Sequence, residues 1–125
     1  MIDVVEPRFV AKPWGHERIL AHTERYVGKL LHIDPGQALS VQYHRVKDET
    51  LHVLSGTLIL EIGAPGEAER VVVPAGRSFR LVPGTIHRFT APGDSGCDLF
   101  EVSTPELDDV VRLEDRYGRE GTNEP

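Results

Sequence analysis

The stretch that decides the fold is residues 36–56, GQALSVQYHRVKDETLHVLSG. Side chains alternate faces along a strand, so Ser40, Gln42 and His44 share one side of one strand. After a short reversal, Glu49, Leu51 and Val53 share a face of the next. Two neighbouring strands therefore direct Gln42, His44 and Glu49 to one point. A fourth donor, His87, follows the turn Pro83-Gly84. Two imidazoles, a carboxylate and an amide oxygen suit a divalent first-row metal with open positions, whether Zn, Mn, Fe, Co or Ni.

Outward from this stretch the chain reads as short strands separated by turn signals, the pattern of an all-β sandwich or barrel. Apolar-rich runs cover residues 26–33, 39–44, 51–54, 57–62, 71–73, 78–82, 87–90 and 98–103. Between them lie Asp34-Pro35-Gly36, Ser55-Gly56, Ala64-Pro65-Gly66, Pro74-Ala75-Gly76, Pro83-Gly84 and Ala91-Pro92-Gly93. Twelve Gly and nine Pro in 125 residues supply these reversals. The length suits one domain, so residues 1–125 are read as a single unit: an irregular arm over 1–22, a barrel over 23–104 and a tail over 105–125. The tail is acidic and is expected to hold a short helix capped by Thr104 or to be irregular, with Arg119 to Pro125 frayed.

The net charge of −6 argues against nucleic acid as a partner, because phosphate backbones need a basic footprint. It leaves room for a small anion, since a few cations can reverse the field inside a pocket. No apolar run approaches the ~20 residues of a membrane span, and the N-terminus lacks a secretory pattern. Cytoplasmic location and no membrane contact are therefore expected. The single cysteine, Cys97, forms no intrachain disulfide and is read as a bystander in a turn.

The spacing G-x5-Q-x-H-x4-E-x6-G, followed by P-G-x-x-H, resembles the two cupin motifs, with Gln42 where many cupins carry His. LSVQYH (39–44), PGTIHRF (83–89), DLFEV (98–102) and DDVVRLEDRYGR (108–119) resemble more narrowly the mannose-6-phosphate isomerase domain of type II phosphomannose isomerases. Lys12-Pro13-Trp14-Gly15 is similar to the element that opens that domain. The resemblance runs from Lys12 to Arg119. It implies a double-stranded β-helix, the jelly-roll barrel of cupins, whose exposed edges a partner subunit covers; a homodimer is the expected assembly. The chain departs from the family pattern at Ala91, where an Asn is common. The 125 residues are expected to hold one cupin without the guanylyltransferase half of its bifunctional look-alikes.

Further candidates follow from strand parity. Lys29 shares a face with Leu31 and Ile33 and points inward, where an amine is costly unless it meets an anion. Lys47, two residues before Glu49, places a cation beside the metal group. Arg119 is the candidate for clasping a phosphate bidentately, with Arg112 in support. His16, His22, His32 and His52 do not fit the ligand spacing, and Trp14 is read as a packing anchor.

The resemblance implies a metal-dependent aldose–ketose isomerase acting on a sugar or sugar phosphate, mannose 6-phosphate to fructose 6-phosphate. Its catalytic residues are expected among Lys29, Lys47 and Arg119. A metal-bound hydroxide, Lys29, Lys47 or a nearby Glu are the choices for the base. The competing readings are an Fe(II) cupin oxygenase and a non-catalytic sugar-binding cupin.

Overall fold

A computed structural model describes residues 2–122. Eleven strands are formed: β1 (Arg8–Lys12), β2 (Gly15–His22), β3 (Val27–Ile33), β4 (Val41–Tyr43), β5 (Glu49–Ser55), β6 (Thr57–Ile62), β7 (Glu69–Pro74), β8 (Ser78–Leu81), β9 (His87–Thr90), β10 (Cys97–Ser103) and β11 (Val111–Glu114). They build two antiparallel sheets, one of six strands in the order β1-β2-β3-β10-β5-β8 and one of five in the order β11-β4-β9-β6-β7. Among the described residues no helix is long and apolar enough to cross a membrane.

The inner faces are set by alternation. Along β3 the inward positions are Val27, Lys29, Leu31 and Ile33; along β5, Glu49, Leu51 and Val53; along β10, Cys97, Leu99, Glu101 and Ser103. Leu31, Leu51, Val53 and Leu99 meet Leu58, Leu60 and Phe89 of the other sheet in one core, which Trp14 and Cys97 join. Each such side chain contributes roughly 1.5–3 kcal/mol by leaving water. The core occupies only one end of the six-stranded face. At the other end the register sets Lys29 opposite Glu101 and Ser103 opposite Glu49. One end of the barrel is thus apolar and the other charged.

Three expectations need correction. The N-terminal arm is not irregular: β1 and β2 form a hairpin, and β2 pairs with β3 along its length. Pro13 interrupts nothing, because it falls between the two strands. The tail holds no helix and is not wholly irregular, since β11 pairs with β4. Thr104 instead takes the Asp48 amide on its hydroxyl at 3.0 Å. Residues 119–122 are folded back, with the Gly121 amide donating to the Arg112 carbonyl at 3.2 Å; the fraying expected beyond them lies outside the described residues. Cys97 is not in an exposed turn but opens β10 in the core, where burial pushes its thiol up to about 12.

Gly56 joins β5 to β6 at φ 75°, and a Cβ there would lie 2.3 Å from the Gly96 carbonyl oxygen. Gly76, at φ 88°, faces open space. Gly76→Ala should therefore cost only the left-handed backbone penalty of about 1–2 kcal/mol. Gly56→Ala should cost distinctly more, because backbone must also move. Equal losses in chemical denaturation would show that the Gly96 contact is unimportant.

Candidate metal centre

His44 follows β4, Glu49 opens β5 and His87 opens β9, so three elements deliver one donor each. One ligand atom from each residue lies within 4.8 Å of the other two, and all three residues are buried. Gln42 sits directly opposite His87 in the β4–β9 pair and lines a cavity with His44 and Glu49; its Oε1 accepts the Ser40 hydroxyl at 3.0 Å. The four predicted donors are therefore brought to one region, with the amide oxygen already engaged by Ser40.

The backbone orients both imidazoles. His87 Nδ1 donates to the Thr85 carbonyl at 2.8 Å, and His44 Nδ1 donates to the Asp109 carbonyl. A carbonyl only accepts, so each ring keeps its proton on Nδ1 and turns a bare Nε2 inward. His44 Nε2 lies 3.5 Å from Glu49 Oε2, and His87 Nε2 lies 3.9 Å from Glu49 Oε1. His87 Nε2 is buried without a hydrogen-bond partner. An orphaned lone pair inside a protein is costly, and a cation is the partner that suits it. Burial lowers both histidines below their ordinary range, His87 to about 4, so neither binds a proton at neutral pH. The Gly84 amide donates to the His44 carbonyl at 2.7 Å, tying the Pro83-Gly84 turn to the end of β4.

Beside these donors runs a chain of buried charge. Lys47 Nζ is 3.0 Å from both Glu49 and Glu101, and Lys29 Nζ is 3.0 Å from Glu17 and 4.0 Å from Glu101. Burial and the neighbouring Glu101 charge push the Glu49 carboxyl up, and Lys47 only partly opposes them. Burial acts on Glu101 in the same sense, yet the ammoniums of Lys29 and Lys47 and the Ser103 hydroxyl outweigh it and hold its pKa down. Burial works against the Lys47 ammonium, but the two carboxylates more than compensate and raise its pKa. Lys47 is a fixed ammonium inside the barrel, not a loop lysine in water.

The cavity is lined by Lys12, Lys29, Lys47, Arg112 and Arg119, together with Glu17, Glu49 and Glu101. Arg119 occupies the expected wall, but its Nε and Nη2 already hold Asp115 at 2.8 and 3.2 Å, so the clasp expected for a phosphate is engaged within the tail. Arg112 is buried, with Nη1 on the Thr122 hydroxyl at 3.1 Å. Trp14 is both core anchor and cavity wall. His32 and His52 lie on the outer face, where His32 Nδ1 meets Asp98 at 2.7 Å.

Sequence reasoning missed Glu17 and Glu101. Glu101 carried a signal, since it shares parity with Leu99 on β10. Its partner Lys29 is 72 positions away and becomes a neighbour only through the β3-β10 pairing.

A family model described as the C-terminal region of mannose-6-phosphate isomerase matches residues 4–115. The chain belongs to this family. Mannose-1-phosphate guanylyltransferase ManC of Salmonella typhimurium is 39% identical over an alignment of 119 positions that covers 90% of this chain and 23% of that protein. The chain thus spans about a quarter of the length of that relative. The capsular polysaccharide assembling protein CapF of Staphylococcus aureus superposes with a TM-score of 0.75 at 18% identity, over 89% of this chain and 32% of that one. A Klebsiella pneumoniae protein with a double-stranded β-helix domain superposes at 0.68 with 20% identity, over 92% of this chain and 90% of that one. These likenesses establish the double-stranded β-helix of the cupins as the fold.

Glu101→Gln leaves Lys29 and Lys47 with reduced compensation and should cost about 3–5 kcal/mol at neutral pH, the usual cost of breaking a buried ion pair. The folded pKa of Glu101 is depressed, so its contribution is full above the ordinary carboxylate range, near pH 4.3. It is lost as pH falls through the lower folded value. The gap between the denaturant midpoints of the two proteins should therefore narrow as pH is lowered from 6 to 3, and close only near the folded value of about 2. A constant gap would show that the Glu101 charge is not what stabilises the barrel.

Proposed function

We propose that the domain is a metal-dependent aldose–ketose isomerase of a sugar phosphate, with mannose 6-phosphate as the preferred aldose. The observation that carries this reading is the placing of five cationic side chains, in a family named for that isomerase, on the cavity lined by His44 and Glu49, the two residues grouped with His87. Three of them reach it from the two ends of the chain: Lys12 from β1, Arg112 from β11 and Arg119 from the segment after it. A phosphate monoester suits that wall, and the reacting carbons would lie toward the imidazoles.

His44, Glu49 and His87 would hold a divalent cation, with Gln42 beside them. When bound, the cation supplies Lewis-acid stabilisation of negative charge on the substrate oxygens. The chain's own residues then have to move a proton from C2 to C1. Lys47, pinned between two carboxylates, keeps its proton and acts as a fixed positive charge. Glu101 is too weak a base. Glu17 is the cavity carboxylate that belongs neither to the donor group nor to the Glu101 clamp, and Lys29 at 3.0 Å holds it in place. We assign it the proton transfer. Lys29 thereby becomes its orienting partner rather than the base.

The test is metal analysis followed by a coupled assay with mannose 6-phosphate. Wild-type protein should carry a divalent metal and form fructose 6-phosphate. Glu49→Ala should lose more than the roughly 10–100-fold that outer-shell substitutions cost, together with its metal. Glu17→Gln should keep the metal and lose about 10²–10⁴-fold in turnover, the usual contribution of a general base. Metal-loaded protein that isomerises no hexose phosphate would refute the reading.

The same reading includes assembly as a homodimer. The outer face of the six-stranded sheet exposes Leu20, Tyr26 and Val102 along one apolar groove, and a second copy packed there would cover it. Light scattering should return twice the chain mass, and Val102→Glu should return the monomer.

A further inference from the structure

The loop that carries His44 and Lys47 between β4 and β5 has no ladder of its own, yet it sets two of the groups on which the centre depends. Between the Gly84 bond at His44 and the Thr104 bonds at Asp48, it is held by a residue 62 to 65 positions away. Asp109 Oδ1 accepts the Arg45 amide at 3.1 Å, and Asp109 Oδ2 accepts the amides of Val46 and Lys47 at 2.8 and 2.9 Å. The Asp109 carbonyl takes the proton of His44 Nδ1. Four consecutive residues, 44 to 47, are thus bonded to one.

We propose that Asp109 is a positioning residue for the centre, seating the loop through its carboxylate and fixing the His44 ring through its carbonyl. This rests on the reading of His44, Glu49 and His87 as metal donors. The geometry makes the connection specific. Asp109 lies two residues before β11, whose Val111 pairs with Tyr43 immediately before His44. Its neighbours Leu107 and Val110 form part of the cavity wall. The short backbone bonds Leu107 to Pro105 and Val110 to Asp108, at 2.9 and 3.0 Å, keep the segment compact. One segment therefore shapes the cavity on one side and orients a donor on the other. Three amides converging on a carboxylate form a charge-assisted cluster. Its loss would free the His44 ring to rotate and Lys47 to leave its place 3.0 Å from Glu49 and Glu101.

The experiment compares Asp109→Ala, Asp109→Asn and the exposed neighbour variant Asp108→Ala in the full chain. Co(II) affinity is measured by chelator competition, with the Co(II) visible spectrum as a geometric signature. Nitrogen NMR of His44 in metal-free protein reads its tautomer. Asp109→Ala should bind Co(II) about 10–100-fold more weakly, with a changed spectrum and a His44 tautomer no longer confined to Nδ1–H. Asp109→Asn retains one acceptor and should fall between Asp109→Ala and wild type, which also covers the case in which the alanine variant does not fold. Asp108→Ala should match wild type. Wild-type affinity and an unchanged His44 signature in either Asp109 variant would overturn the proposal, as would an equal loss in Asp108→Ala. If the wild-type chain binds no Co(II), the metal reading fails on its own. The His44 tautomer in metal-free protein still decides the role of Asp109.

Discussion

Five titratable side chains inside a small barrel have to balance one another, and the arrangement of the site follows from how they do it. Glu17, Lys29, Glu101, Lys47 and Glu49 alternate in sign across β2, β3, β10, the loop after β4, and β5. Each buried ion carries a desolvation cost of several kcal/mol, so none is tolerable alone. Three carboxyl groups against two amines leave one carboxyl group without a matching cation. Depressed pKa at Glu101 and raised pKa at Glu49 locate the uncompensated end. That end lies against two imidazoles kept neutral by burial, which present lone pairs and no charge. A divalent cation held there would relieve the carboxylate and the orphaned His87 nitrogen at once. The network is thus poor evidence for stability and better evidence for where a cation would be held.

The division of the barrel into an apolar and a charged end has the same origin. Inward positions on β3, β5 and β10 pass from hydrocarbon to charge within two residues: Leu31 to Lys29, Leu51 to Glu49, Leu99 to Glu101. Because these strands are neighbours in register, the changes coincide in space. A one-residue slip would put the charges outside and leave the core open to water, so the register is held by both classes of residue together.

Much of this was legible in the sequence because it is local. Strand parity brought together Gln42, His44 and Glu49, and the Pro83-Gly84 turn pointed to His87. What was not legible depends on pairing between distant segments. Lys29 read as a costly inward lysine, but its partners Glu17 and Glu101 are chosen by the order β2-β3-β10. Asp109 read as one acid in an acidic tail, because nothing local distinguishes it from Asp108. The arm read as irregular, yet Pro13 lies in the turn of a hairpin. The tail looked helical by its acidic start; β11 is instead fixed as a strand by β4, and Arg112 and Val110 turn inward from it.

These long-range contacts separate two jobs within one domain. The donors come from β4, β5 and β9 and are oriented by main-chain carbonyls of Thr85 and Asp109, groups that no side-chain substitution removes directly. The geometry of the centre is therefore a property of backbone register. The cavity wall, by contrast, takes Lys12 and Trp14 from the N-terminal hairpin and Leu107, Val110, Arg112 and Arg119 from the C-terminal segment. Such side chains can change without disturbing the donor strands. On the proposed reading, the barrel would set what can happen to a bound molecule, and the two ends of the chain would set which molecule is held there. Asp109 is the point where the two jobs meet, since the segment that forms the wall is also bonded to the ligand loop.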